Sequence, residues 1–250
     1  MISAEKAPAF RALFDFYNRR YLLPRAFRSV GLYGTLDAGI EPERPVLYIA
    51  NHSSWWDGLL LYHLWRRSGE HNHYVMMDEA QLSEYRFFRK LGAYSVDKSA
   101  AGASRASLRY TERLLGEGAR VWLFPQGDIR HLESRPLELR RGAAHLLRRV
   151  PHTAVVPVTF YYTSGLHSKP EVSLMVGQPL IEDWAGSEGA ATTLLLHGRL
   201  TEQLDRHRGY AIAAVNDPSR AKLPDRELLR AGLSVNEKYE RFRKKRRPAH

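Results

Sequence analysis

Apolar positions along this chain fall into two kinds of pattern. Residues 45–50 (Pro-Val-Leu-Tyr-Ile-Ala) make a nearly unbroken apolar run, and residues 120–124 (Arg-Val-Trp-Leu-Phe) make another, stopped by Pro125. Short runs without polar alternation are the signature of strands buried on both faces. Residues 73–77, 94–96, 153–162 and 171–176 read as further strands. Between them the spacing of apolar residues predicts helices over 55–67, 78–91, 100–117, 138–149 and 188–208. Asp78 is placed to N-cap the second of these, and Gly92 and Gly118 to stop the second and third. Strands and helices in alternation predict an α/β fold with a central, mostly parallel or mixed sheet flanked by helices.

The N-terminus has a different character. Phe10, Leu13, Phe14, Tyr17 and Tyr21 recur at helical spacing over residues 8–33, with Arg11, Arg19, Arg20, Arg25 and Arg28 among them. Pro24 should break or kink this stretch into two helical pieces. An aromatic face flanked by arginines suits a lipid interface, although a helix packed on the core with a solvated basic face has the same pattern. The far end carries Arg241-Phe-Arg-Lys-Lys-Arg-Arg-Pro-Ala-His250, read as a basic tail able to sit on anionic lipid. The expected organisation is an N-terminal amphipathic helical segment (1–35), an α/β domain (36–215), and a C-terminal helix with the basic tail (216–250). No internal repeat is visible.

Charge and composition narrow the partners. The net charge is +11, with 38 Lys and Arg against 27 Asp and Glu, which points to an anionic partner: membrane surface, phosphate-bearing substrate or nucleic acid. No nucleic-acid motif accompanies the charge, so nucleic acid is not expected. The chain has no cysteine, which removes disulfides, thiolate catalysis and Cys-based zinc sites. Glu5, Arg11 and Asp15 interrupt any secretory apolar region, and no apolar run nears the roughly 18–20 residues of a spanning helix. Peripheral attachment to the cytoplasmic face of a membrane is the expectation.

Candidate chemistry sits directly after the first buried strand, in Asn51-His-Ser-Ser-Trp-Trp-Asp57. The His-x4-Asp spacing alone says little, because His73 and Asp78 repeat it. Position separates the two pairs. His52 follows the C-terminal end of a strand, where open α/β sheets bind ligands. If His52 lies in the turn, with Ser53 and Ser54 capping the next helix, Asp57 falls in its first turns and the two side chains can meet. His73 and Asp78 bracket a strand, where an odd separation sends side chains to opposite faces, so that pair reads as structural. A histidine backed by an aspartate is a general-base arrangement. With no Gly-x-Ser-x-Gly elbow and no cysteine, its simplest use is direct activation of a hydroxyl on an acceptor. A histidine and aspartate that merely cap the helix would look the same. Trp55 and Trp56 could wall an apolar ligand, meet a lipid interface or simply pack in the core, and Tyr161 and Tyr162 carry no signal.

The surrounding residues resemble four ordered blocks of the lysophospholipid acyltransferase family, typified by 1-acylglycerol-3-phosphate acyltransferases. Residues 51–57 match its Asn-His-x4-Asp block. Gly92-Ala-Tyr-Ser-Val-Asp97-Lys98 resembles the second, with Lys98 where arginine is usual. Phe124-Pro-Gln-Gly127 resembles Phe-Pro-Glu-Gly, and Val155-Val-Pro157-Val158 the last block. Arg140-Arg141-Gly142-Ala143-Ala144 resembles a segment that usually follows the third block. The likeness covers about residues 45–180.

That resemblance implies acyl transfer from acyl-CoA or an acyl carrier protein thioester to a hydroxyl of a glycerol phosphate, lysophospholipid or related lipid, with no cofactor. It implies His52 as base and Asp57 as its orienting partner. It implies acceptor binding by Asn51, Asp97, Lys98, Pro125, Gln126, Gly127, Asp128, Arg130 and Arg141, and a pocket wall shaped by Pro157. Lys98 suits phosphate as a point charge, and a turn at Gly127 could bring backbone N–H groups to an anion. The third block departs from the pattern: Gln126 replaces Glu, and Asp128-Ile129-Arg130 replaces Thr-Arg-Ser. Arg130, Arg140 or Arg141 could stand in for the displaced arginine. The departures leave the dyad intact and open the acceptor to glycolipids, carotenoid-type lipids or other hydroxylated lipids. A non-catalytic lipid-binding relative and a basic nucleic-acid binder are the competing readings.

Overall fold

A computed structural model describes residues 1–69, 71–99, 102–165, 167–230, 233 and 235–246. The chain runs α1 (Pro8–Tyr17), α2 (Leu23–Ala26), β1 (Ser29–Tyr33), β2 (Val46–Ala50), α3 (Asp57–Trp65), β3 (His73–Asp78), α4 (Glu79–Glu84), α5 (Phe88–Leu91), β4 (Ala93–Val96), α6 (Arg105–Gly116), β5 (Arg120–Leu123), α7 (Gly142–Arg149), β6 (Ala154–Thr163), β7 (Glu171–Val176), α8 (Gly189–Asn216), β8 (Arg226–Arg230) and α9 (Val235–Arg246). The strands form a single eight-stranded sheet in the order β4-β3-β5-β2-β6-β7-β1-β8. The run from β4 to β6 is parallel throughout, β7 is antiparallel to β6, β1 is parallel to β7, and β8 is antiparallel to β1. The sheet is therefore mixed, with helices between its strands, as the alternating pattern predicts.

β2 shows why its sequence has no polar alternation. Val46, Tyr48 and Ala50 pack into one core layer with Trp122 and Leu61, while Leu47 and Ile49 pack into the other with Val121 and Leu123. Both faces are covered, so every position is apolar. Tyr48 stacks on Trp122 at 4.0 Å between ring centroids and sends its hydroxyl to Asp37 at 2.6 Å. The sheet core thus holds β2 rigidly, and the chain leaves it at Ala50 just before the candidate histidine.

Several expected boundaries move. Residues 29–33, expected within the N-terminal helical stretch, form β1, because pairing with β7 and β8 overrides local propensity. Gly31 is squeezed there: a Cβ would lie 2.5 Å from the Pro224 side chain. With β8 also in the sheet, the segments expected as appendages at either end each contribute a strand to the same fold. Two α-helical pieces form, with Pro24 in the first turn of the second and no gap between them. A π-helical turn over Asn18–Leu22 carries the chain from α1 into α2, a wider turn being one way to pass a residue without an N–H. Asp78 caps α4 through Ala80 N–H at 3.0 Å, but the expected 78–91 helix stops at Tyr85 and restarts as α5. α8 runs eight residues past its expected end at 208, to Asn216. α7 starts at Gly142, so residues 138–141 stay in a loop. The basic stretch from Arg241 to Arg246 belongs to α9, and residues 247–250 lie outside the described residues.

Candidate active site

His52 lies in the loop that follows β2, and Asp57 is the first residue of α3. The loop turns back far enough for His52 Nδ1 to meet Asp57 Oδ2 at 2.8 Å. The same carboxylate oxygen accepts the Ser53 N–H at 2.8 Å and the Ser54 N–H at 2.9 Å. Oδ1 accepts the Tyr162 hydroxyl. Asp57 is fully buried, and four donors offset the cost of burying it. Burial and the Asp57 charge hold Tyr162 well above the usual tyrosine range, so it remains an O–H donor. Because a carboxylate only accepts, the geometry assigns the proton to His52 Nδ1 and leaves Nε2 with a basic lone pair.

The backbone around His52 is held from several directions. Gln126 Oε1 accepts the His52 N–H at 2.8 Å, and the Arg130 N–H donates to His52 O at 2.9 Å. The imidazole stacks on Phe124 at 4.3 Å. One residue earlier, Asn51 pairs twice with Phe160 of β6: its Oδ1 accepts the Phe160 N–H at 2.8 Å and its Nδ2 donates to the Phe160 carbonyl at 3.1 Å. The first and third blocks thus fasten the histidine, at the end of β2, to the two strands on either side, β5 and β6. Ser53 and Ser54 do not cap α3 through their side chains as expected; Ser54 Oγ accepts the Trp56 N–H at 3.2 Å, inside the turn.

His52 opens onto a cavity of about 620 Å³. One part of its wall is apolar, with Trp65, Val75, Leu91 and Ala93 between α3, β3 and β4. Another part is polar, with Asp78, Asp97, Lys98, Asp128 and Arg140. Trp55 also lines the cavity and is half exposed, whereas Trp56 packs edge-on against Phe27 at 5.3 Å. The Lys98 ammonium lies 3.1 Å from Asp78 Oδ2 and 3.2 Å from Asp128 Oδ1, and donates to the Gly127 carbonyl. Arg140 Nη2 donates to Asp128 Oδ2 at 2.9 Å.

Of the residues expected to bind the acceptor, Asp97, Lys98, Pro125, Gly127 and Asp128 line this cavity. Asn51, Gln126, Arg130 and Arg141 do not: Asn51 and Gln126 are spent on the scaffold of His52, Arg130 faces Glu138 at 4.0 Å, and Arg141 sits at the N-cap of α7. Arg140 reaches the wall instead. Gly127 adopts φ +81, a left-handed conformation that favours glycine, and a Cβ there would also displace the Arg140 side chain. Its N–H does not serve an anion, because it donates to Phe124 O at 2.9 Å. Pro157 lies within β6, away from the cavity wall. His73 and Asp78 do not meet: His73 Nδ1 accepts the Trp122 indole N–H at 3.0 Å, while Asp78 turns to α4 and Lys98.

Two residues of the site escape sequence reading. Tyr162 carries no pattern beyond its place two residues after Phe160, on the same face of β6. Asp78 looks like a helix cap, which it is, but its second oxygen faces the cavity lysine. Among the described residues no group of three His, Asp or Glu side chains could hold a metal ion.

Comparison with known proteins bears on the fold and the family. The crystal structure of the 1-acyl-sn-glycerophosphate (LPA) acyltransferase PlsC from Thermotoga maritima has a similar fold, with a TM-score of 0.57 over 79% of each chain at 15% identity. No curated protein matches the sequence closely enough to count as a relative. The acyltransferase family profile matches residues 34–161, just over half of the chain, and takes in the dyad, the cavity lysine and the Gln126 turn. This chain is a member of the acyltransferase family.

Proposed function

We propose that the protein transfers a fatty acyl group from an acyl thioester to a hydroxyl of a membrane lipid acceptor. The observation that carries this is the His52–Asp57 contact of 2.8 Å at the wall of a partly apolar cavity. In the proposed step, His52 Nε2 takes the proton of the acceptor hydroxyl as its oxygen attacks the thioester carbonyl. The carbon–sulfur bond breaks, the thiolate leaves, and the imidazolium returns the proton to it. The products are an ester and a free thiol. Asp57 keeps the imidazole in the productive tautomer and stabilises the cation that forms.

The apolar wall around Trp65, Val75 and Leu91 suits an acyl chain. Coenzyme A and acyl carrier protein both supply the required thioester, and no further cofactor is needed. Peripheral attachment to the cytoplasmic membrane face is supported by α1 and the turn after it, where Leu13, Phe16, Tyr17 and Tyr21 are exposed beside Arg20 and Arg25. Among the described residues no helix is long and apolar enough to cross a membrane.

The test is thiol release from an acyl thioester in the presence of lipid acceptors. The chain has no cysteine, so thiol-reactive dyes see only product. His52→Ala should abolish acceptor-dependent release while the far-ultraviolet circular dichroism is retained. Full activity in that variant would overturn the mechanism.

A further inference from the structure

The cations of this site that could bind a phosphate are already paired with carboxylates. An ammonium has three N–H bonds. Around Lys98 Nζ stand three oxygens: the Gly127 carbonyl, Asp78 Oδ2 at 3.1 Å and Asp128 Oδ1 at 3.2 Å. Arg140, the other cation of the wall, is paired with Asp128 Oδ2. The Gly127 N–H closes its own turn on Phe124 O, so the loop offers no anion nest there. Arg130 and Arg141 lie off the wall.

Asp97 and Asp128 are anionic at neutral pH. Hydrogen bonds from Ser99 hold Asp97 below its usual range, and Lys98 foremost, then Arg140, hold Asp128 below its own. Three carboxylates face two cations, and the first turn of α7 at Gly142 and Ala143 adds about half a positive charge at most. A phosphate monoester brought here would add up to two negative charges to a wall whose carboxylates already outnumber its cations, and would compete with Asp78 and Asp128 for Lys98.

Hydroxyl groups meet the opposite situation. Each carboxylate oxygen has two lone pairs, so Asp78, Asp97 and Asp128 keep acceptor capacity after serving their present donors. Trp55 presents a half-exposed ring on the same cavity, a surface against which the C–H face of a sugar or polyol can pack. We infer that the acceptor carries an uncharged, multiply hydroxylated head group, and that Asp78 and Asp128 set this specificity by neutralising Lys98. The inference rests on the acyl-transfer reading above and goes further by naming the acceptor class.

The experiment compares two acceptors of equal chain length with the full-length protein and a palmitoyl thioester: a 1-acylglycerol-3-phosphate and a monoacyl glycosyl glycerol. The expected result is a kcat/KM at least about tenfold higher for the glycolipid. Asp78→Asn and Asp128→Asn, each measured separately, should shift the ratio toward the phosphate acceptor by releasing Lys98. Asparagine also caps helices well, so α4 survives the first change. A wild-type preference for the phosphate acceptor overturns the inference and leaves acyl transfer standing. An unchanged ratio in both variants also overturns it. No transfer to either acceptor, with no thioester cleavage, overturns both readings.

Discussion

Replacing Asp57 by asparagine separates the charge of the dyad from its geometry. The amide fits the existing bonds. With its oxygen at the Oδ2 position it accepts from His52 Nδ1, Ser53 N and Ser54 N, which now lie 2.8, 2.8 and 2.9 Å from Oδ2. Its NH2 then faces the Tyr162 hydroxyl, which can rotate to accept. The tautomer and the loop are kept, and only the negative charge behind the imidazole is lost. For charges separated by about 4 Å at an effective dielectric of 20, that charge stabilises the imidazolium by about 4 kcal/mol. A loss of that size in the transition state corresponds to roughly a thousandfold fall in kcat/KM. The assay is thiol release under subsaturating acceptor, with the melting temperature measured alongside. The expected outcome is the large kinetic loss with little change in melting temperature. If Asp57→Asn kept activity within a factor of about ten, the aspartate would be a helix cap and not the partner of a base.

Tyr162→Phe removes one donor from Asp57 without touching His52. A hydrogen bond to a charged group contributes about 1.5–3 kcal/mol, so kcat should fall by about ten- to a hundredfold with KM for the thioester little changed. Wild-type kcat in that variant would remove Tyr162 from the positioning network. Acid stability offers an independent check on the fold. His207 is buried between Thr159 Oγ1 at 2.8 Å and Ser173 Oγ at 2.7 Å, and burial lowers its pKa from 6.5 to about 3. His63 is lowered to about 4, chiefly by burial and then by Arg67. The unfolded chain binds these protons below pH 6.5 and the folded chain does not. The stability they contribute is therefore present above pH 6.5 and lost progressively as pH falls toward 3. In urea titrations across that range His207→Gln should show a shallower acid slope than wild type, and an equal slope would count against the assignment.

Most of the fold was legible because β2 and β5 bury both faces and advertise it as unbroken apolar runs. β1 and β8 were not legible. Ser-Val-Gly-Leu-Tyr sits within an aromatic, arginine-rich stretch with helical spacing, and Arg-Glu-Leu-Leu-Arg is charged at both ends. Each becomes a strand only because a neighbour supplies its hydrogen bonds. The same distinction runs through the site. Glycine at 127 is fixed locally by a positive φ, whereas the exclusion of Arg141 from the cavity depends on where α7 begins, and that of Arg130 on its contacts with His52 O and Glu138.

By itself the sequence determined the α/β class, the position of His52 after a buried strand, and the spacing that lets Asp57 return to it. Those are local matters, governed by hydrophobic period, turn chemistry and the start of a helix. Only the tertiary structure decided what the remaining polar residues do. It assigned Asn51 and Gln126 to holding the histidine, brought Tyr162 from β6 to the far oxygen of Asp57, and placed Asp78 and Asp128 on Lys98. A lysine's charge is visible in a sequence, but the carboxylates that neutralise it come from elements 20 and 30 residues away. Electrostatics depends on distance in space, and that is set when the sheet brings the ends of β3, β4 and β5 to one edge.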